Sequence, residues 1–289
     1  MKHWLAAIRL KTLPLALGAI ILGSTLHQYA FDFNIFLFAC LTAIFLQILS
    51  NLANDYGDFV KGTDAHRSDR QLAGGHISVG AMKIAIGFLV ALSLASGIYL
   101  LFLAFGDNWR YWWQFFGLGV LSIIAAISYT VGKKAYGYYG LGDVFVFIFF
   151  GMVGVMGTAF LYKQEPHSYQ WFPAIAYGCM CVGVLNVNNI RDLDKDILAN
   201  KITLASKLGK DGAIIYQGLL LVMALLCLLI HHFLRNYLSL APVALGIIGY
   251  LHLKKVQQAE TADDYNGQLK FLSLGSLLVV MLFLLRFYY

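Results

Sequence analysis

The chain has 289 residues, 60% of them hydrophobic and only 12% Asp, Glu, Lys or Arg, with a mean hydropathy of +0.70. A water-soluble fold of this length does not carry so little charge, so soluble enzymes and soluble binding modules are excluded and an integral membrane protein is indicated. The net charge of +6 does not point to nucleic acid, because the basic residues divide between the two sides of a membrane rather than gathering in one patch.

A helix needs about 20 apolar residues to cross a ~30 Å hydrocarbon core with its backbone polar groups satisfied internally. The first such run, 13–31, follows Lys2, Arg9 and Lys11 and ends in "STLHQYAFD" without a small-x-small cleavage site, so it reads as a retained span. The second, 35–53, runs into "NDYGDFVKGTD" at 54–64. Spans at 82–105, 112–131 and 142–162 follow, the fifth opening with "GLGD". The sixth, 171–190, runs into "NNIRDLDKD", and 213–233, 237–253 and 269–286 complete the set. The expected architecture is all-α: one polytopic domain over 1–289, a bundle of nine transmembrane helices.

Cys40, Cys179, Cys181 and Cys227 fall inside apolar runs and read as buried small hydrophobes rather than a disulfide or metal set. With the N-terminus cytoplasmic, only Arg110, Lys163, Arg235 and Arg286 fall outside, leaving 17 of the 21 Lys and Arg inside as the positive-inside rule demands. The polar loops 54–81, 132–141, 191–212 and 254–268 then share the cytoplasmic face, the inner-membrane side in a bacterium. "WRYWW" (109–113), "AYGYY" (135–139) and the terminal "FYY" read as interfacial aromatic belts. His231 and His232 lie at the opposite end of the bundle from the acidic loops, and no histidine is paired with Cys or Asp at metal spacing.

The acidic stretches carry the chemistry. If the second span stays helical beyond its apolar part, Asn51, Asn54, Asp55 and Asp58 share a face. Asn188, Asp192 and Asp196 are likewise spaced by four, with Asp194 pointing elsewhere. Carboxylates gathered at one membrane level repel and resist desolvation unless a cation sits among them. Hard Asp and Asn oxygens select Mg²⁺, Mn²⁺ or Ca²⁺ over zinc, and Mg²⁺ commonly combines one or two carboxylates with water and phosphate oxygens. Lys61, Arg67 and Arg70 follow the first set, Arg191, Lys195 and Lys201 accompany the second, and Lys133 and Lys134 come from the loop between. Carboxylates for a metal and Lys/Arg for oxygens is the arrangement a phosphoryl or diphosphate group requires.

"NDYGDFVKGTD" and "NNIRDLDKD", each after an apolar helix, with "YTVGKK" after the fourth span, resemble the motifs of the UbiA-type intramembrane aromatic prenyltransferases, and the resemblance covers essentially the whole chain. The longer strings "NLANDYGDFVKGTD", "NNIRDLDKDILANKITLASKLG", "RLKTLPLALGAIILG" and "GLGDVFVFIFFG" look most like the 1,4-dihydroxy-2-naphthoate polyprenyltransferase branch of menaquinone synthesis, with Asp64 six residues after Asp58 as in that branch. One departure is Asn200, where a glycine commonly precedes the lysine of the second motif.

The resemblance implies transfer of a polyprenyl group from its diphosphate to dihydroxynaphthoate with loss of carbon dioxide. It implies that Asn54, Asp58, Asp192 and Asp196 hold Mg²⁺, with Mn²⁺ as a substitute. Asp55 also belongs to the metal-binding motif, and Asp64 has a less defined role. Lys61, Arg70, Lys133 and Lys201 meet diphosphate oxygens, with Arg191 bracing the second set. Arg9, Asn51 and Asn188 are lesser candidates at the same level. Tyr129, with Phe145, Phe147, Phe149 and Phe150, borders the site and can tolerate an allylic cation, although residues this common more often serve packing. Asp143 reads either as a base toward the acceptor or as a helix-start aspartate. Gly151, Gly154 and Gly157 read as close-packing positions.

The partners expected are therefore a polyprenyl diphosphate, an aromatic acceptor and the lipid bilayer, with no nucleic acid. Two other functions fit parts of the pattern. A transporter would place its charges near the midplane in broken helices, and another branch would use 4-hydroxybenzoate, homogentisate or a porphyrin or chlorophyll precursor. Chain length and oligomeric state are not encoded in these patterns.

Overall fold

The computed structural model describes residues 2–26, 31–64, 70–162, 167–285 and 287–288, with Phe287 and Tyr288 as backbone only. Arg67, Lys163, Arg286, His27 and His66 lie outside the described residues. The chain folds into helices α1 (Lys2–Ile8), α2 (Leu13–Thr25), α3 (Phe33–Val60), α4 (Val79–Phe105) and α5 (Trp109–Ser128). The fifth span joins α6 (Gly142–Val146), a π-helical stretch (Phe147–Gly157) and α7 (Thr158–Leu161). Then come α8 (Trp171–Arg191), α9 (Leu193–Leu198), α10 (Leu204–Arg235), α11 (Ala241–Gln257) and α12 (Ala262–Leu284).

Among the described residues, eight helical segments are long and apolar enough to cross a bilayer. The expected span 237–253 is the exception. Tyr237 and Leu238 form a two-residue strand paired with Tyr288 and Phe287, and the helix behind it, α11, has only 17 residues. At 1.5 Å per residue it extends about 25 Å, so it covers less of the hydrocarbon than its neighbours. The first span is also displaced. Its helical segment is Lys2–Thr25, interrupted at Arg9, rather than 13–31. α2 ends at Thr25, and Asp32 begins α3 by accepting from the Asn34 and Ile35 amides.

Two features place the site. The first is α8, the most enclosed span, whose Ala, Gly and Cys side chains let it sit between α10, α12 and the fifth span. An added Cβ on Gly178 would meet the Phe147 ring, and one on Gly151 would meet the α8 backbone, so these helices approach through missing side chains. Gly154 lies against Ala19 of α2 in the same way, whereas Gly157 is not tightly packed. The four cysteines are buried and free. The second feature is the lipid side of α10, where Ile215, Leu219, Val222, Leu226 and Phe233 are exposed. A soluble helix would present polar residues there, so this face requires hydrocarbon.

Candidate active site

α3 continues as a helix through Val60, well past its apolar part, and carries Asn51, Asp55 and Asp58 into the interior, each 5% exposed or less. Gly57 makes this possible: an added Cβ would collide with Thr130, whose hydroxyl donates to the Ala53 carbonyl and to Asn54 Oδ1. The second motif spans a joint. α8 ends at Arg191 and α9 starts at Leu193, yet the Asp192 amide donates to Asn188 and the Asp196 amide to Asp192, so the four-residue spacing persists. Asp192 and Asp196 are buried and Asp194 is exposed, as the spacing predicts.

Asn200, between Asp196 and Lys201, has φ 51. This is the left-handed region, where Gly is free and Asn is the side chain best tolerated. Asparagine therefore meets the backbone need of this turn. The turn returns the Lys201 amide to the Asp196 carbonyl at 2.8 Å and brings Lys201 Nζ 3.7 Å from Asp196 Oδ1.

Buried carboxylates require compensation. Asp55 Oδ1 receives Arg9 Nη2 at 2.9 Å and Arg70 Nη1 at 3.1 Å, while Arg70 Nε faces Asp64 Oδ2 at 3.5 Å. Arg191 forks onto Asp192, at 3.0 Å from Nε and 2.6 Å from Nη2, and also donates to Asn188 and to Asn266 of α12. Asp58 Oδ1 accepts from the Tyr138 hydroxyl at 2.7 Å. Burial, followed by the nearby Asp58 charge, raises the Tyr138 phenol well above its ordinary range, so it stays protonated as a donor. Asn51 is occupied structurally, donating to the Ile8 carbonyl freed where α1 breaks.

These residues surround one cavity of about 940 Å³, with Arg9, Asn51, Asn54, Asp55, Asp58, Asp64, Arg70, Tyr129, Asn188, Arg191, Asp192, Asp196 and Lys201 all in its wall. On α3 the wall runs from Asp58 to Ala39, about 28 Å of helix, so the space descends from the charged end through most of a membrane's depth. Beneath the charges lie aromatic faces: Tyr136 stacks on Phe145 at 4.0 Å, and Phe149 follows at 6.1 Å. Phe145, Phe149, Phe150 and Val153 share the face of the fifth span that lines the cavity, while Phe147 turns onto Gly178.

Three predicted residues stand apart. Lys133 is exposed in the turn after α5 and does not reach the cavity wall. Lys61 is also outside the wall, with its ammonium 3.8 Å from the centre of the Tyr138 ring. Asp143 is buried in a side crevice with Tyr129, Asn189 and Thr203, beside Tyr216, and its Oδ2 has no hydrogen-bond partner. It is not the N-cap of α6 either, since Leu141 occupies that position. Sequence reasoning missed Tyr138, which the belt reading of "AYGYY" absorbed, and Asn266, a lone amide in an otherwise ordinary span.

No three acidic, His or Cys side chains among the described residues form a closed metal cage. Asn54, Asp58, Asp192 and Asp196 nevertheless face one space with hard oxygen atoms, which suits a cation sharing its shell with a ligand's phosphate oxygens.

A multi-pass helical membrane protein with a charged cavity mouth above an aromatic, apolar shaft is the class this geometry defines. Residues 12–283 match the UbiA prenyltransferase family. The chain belongs to that family, and the transporter reading falls with that membership. It is 44% identical over 236 residues to the 1,4-dihydroxy-2-naphthoate octaprenyltransferase of Haemophilus influenzae, covering 79% of this chain and 76% of the relative. It is 45% identical over 230 residues to the protein of the same name from Escherichia coli, covering 78% and 74%. The fold is shared with a UbiA homolog from Aeropyrum pernix, at TM-score 0.72 and 16% identity over 95% of this chain and 99% of that one. It is shared too with an Archaeoglobus fulgidus UbiA homolog bound to DMAPP and Mg²⁺, at TM-score 0.62 and 13% identity over 96% and 99%.

Proposed function

We propose that residues 1–289 act as one catalytic unit that transfers a polyprenyl group from its diphosphate to 1,4-dihydroxy-2-naphthoate, with loss of carbon dioxide, giving demethylmenaquinol. The observation that carries this reading is the single cavity with buried carboxylates and cations at one end and an aromatic, apolar shaft below. The names of the relatives at 44% and 45% identity support the acceptor.

Asn54, Asp58, Asp192 and Asp196 are the residues suited to hold Mg²⁺, with Mn²⁺ as a hard divalent substitute, and the Mg²⁺ and DMAPP or GPP bound by the fold's neighbours support that choice. Bound Mg²⁺ supplies Lewis-acid stabilisation of charge developing on the departing diphosphate. Asp55 takes a different role from the one its motif position suggests: with Asp64 it holds Arg9 and Arg70 at the cavity wall, where their remaining N–H groups can meet diphosphate oxygens. Lys201 lies on the same wall, and Arg191 fixes Asp192. Fixed donors at the leaving oxygens favour the transition state over the ground state, about 3 kcal/mol for each well-placed one.

Cleavage of the allylic C–O bond leaves a carbocation, which the electron-rich naphthoate carbon attacks before losing its carboxyl group. The Tyr129, Tyr136, Phe145 and Phe149 faces lie where that cation forms and exclude water from it. The prenyl tail occupies the shaft. The site faces the cytoplasm, at the inner membrane of a bacterium, on the side that the positive residues mark.

The test is Asp58→Asn and Asp192→Asn in lipid nanodiscs. Each is expected to remove turnover while inserting and remaining monodisperse, whereas activity retained in both contradicts the metal assignment.

A further inference from the structure

Tyr138 touches both acidic motifs. Its hydroxyl donates to Asp58 Oδ1 at 2.7 Å and lies 2.6 Å from the Thr63 hydroxyl. A phenol has one proton, and Asp58 takes it, so Thr63 donates to Tyr138 and the chain runs Thr63 to Tyr138 to Asp58. The Tyr138 carbonyl accepts from the Ile202 amide at 3.3 Å, beside a parallel bridge between Tyr139 and Ile202. The ring is a platform for two ammoniums, with Lys61 Nζ 3.8 Å and Lys201 Nζ 5.4 Å from its centroid, both within cation–π range. The ring itself is not in the cavity wall, although Asp58, Thr63 and Lys201 are.

We propose that Tyr138 is a positioning residue that couples the two motifs, orienting the Asp58 carboxylate through its hydroxyl and seating Lys61 and Lys201 on its ring. Binding the phenol proton at Oδ1 fixes the rotation of the carboxylate and leaves Oδ2 as its free ligand atom. The main-chain bond to Ile202 ties that orientation to the turn that presents Lys201, so a shift in one motif is felt by the other. Lys61, outside the cavity wall, and Lys201, inside it, are both held at this ring. Together they place two positive charges against the diphosphate end of the cavity. This inference rests on the diphosphate reading given above and adds a residue to it.

Hydroxyl and ring separate cleanly in Tyr138→Phe and Tyr138→Leu, both of which keep the main-chain bond. The full chain in nanodiscs is titrated with Mg²⁺ in the presence of geranyl diphosphate, reading both thermal stabilisation and turnover. Tyr138→Phe is expected to raise the Mg²⁺ concentration for half-maximal stabilisation about tenfold, the worth of one charge-assisted hydrogen bond. Its kcat at saturating Mg²⁺ and its KM for the acceptor should stay within about threefold of the parent. Tyr138→Leu should in addition raise the KM for geranyl diphosphate about fivefold, the worth of one cation–π contact.

An unchanged Mg²⁺ dependence in Tyr138→Phe overturns the positioning role. So does a uniform fall in ligand-free thermal stability and in every kinetic constant, which marks mere structural support. Identical diphosphate constants for the two variants overturn the part assigned to the ring. If the parent protein itself shows no Mg²⁺-dependent stabilisation, the diphosphate site reading fails and this inference fails with it.

Discussion

Arg9 and Asp55 meet at 2.9 Å across 46 residues of sequence, joining the break between α1 and α2 to the first acidic motif. Arg9 has φ 53, an uncommon backbone state for a long side chain, held by the Asn51 amide on the Ile8 carbonyl and by the Thr12 hydroxyl on its own carbonyl. The N-terminal segment is thereby part of the site. Asp55→Ala removes the shared acceptor of two guanidiniums and is expected to cost about 3 kcal/mol of stability. It should raise the KM for the prenyl diphosphate while leaving the Mg²⁺ dependence unchanged. A shifted Mg²⁺ midpoint in titrations of the variant would return Asp55 to the metal set.

The turn at Asn200 makes a second case. Asn200→Gly is expected to keep full activity and stability, because glycine adopts φ 51 without cost. Asn200→Val forces a β-branched residue into the left-handed region, at about 1–2 kcal/mol, and displaces Lys201. Thermal melting and prenyl diphosphate KM for both variants check this, and equal behaviour of valine and glycine would contradict it.

Gly57 is expected to accept nothing larger. In Gly57→Leu the side chain enters the space of Thr130, an overpacking cost of about 1–3 kcal/mol, and turns Asn54 away from the cavity. Melting temperature and turnover should fall together, unlike in the Asp58→Asn variant, where turnover alone falls.

Asp143 lies in a side crevice rather than in the cavity wall. Asp143→Asn is therefore expected to retain kcat within about tenfold, since it touches no reacting atom in this arrangement. Loss of turnover with an unchanged melting curve would restore the base role that its sequence position suggests.

Much of this was legible because it depends on local periodicity. Apolar runs locate the spans, and four-residue spacing places Asp58 with Asn54 and Asp196 with Asp192, since neighbours on a helix are fixed by geometry alone. What could not be read depends on long-range contacts. Tyr138 sits among interfacial tyrosines in sequence, and only tertiary packing brings it to Asp58, 80 residues away. Asp55 resembles its neighbours in the motif, yet two distant arginines claim it. The π-helical winding at Phe147–Gly157 leaves no mark in an all-apolar run. Lys133 looked like Lys61 and Lys201, but the turn after α5 leaves it in solvent.

The most direct test supplies the purified chain in lipid nanodiscs with Mg²⁺ and a radiolabelled polyprenyl diphosphate, and offers 1,4-dihydroxy-2-naphthoate and 4-hydroxybenzoate as separate acceptors. The expected result is a Mg²⁺-dependent prenylated product from the naphthoate, with carbon dioxide released in equal amount. No product from either acceptor, or a preference for the hydroxybenzoate, would contradict the account.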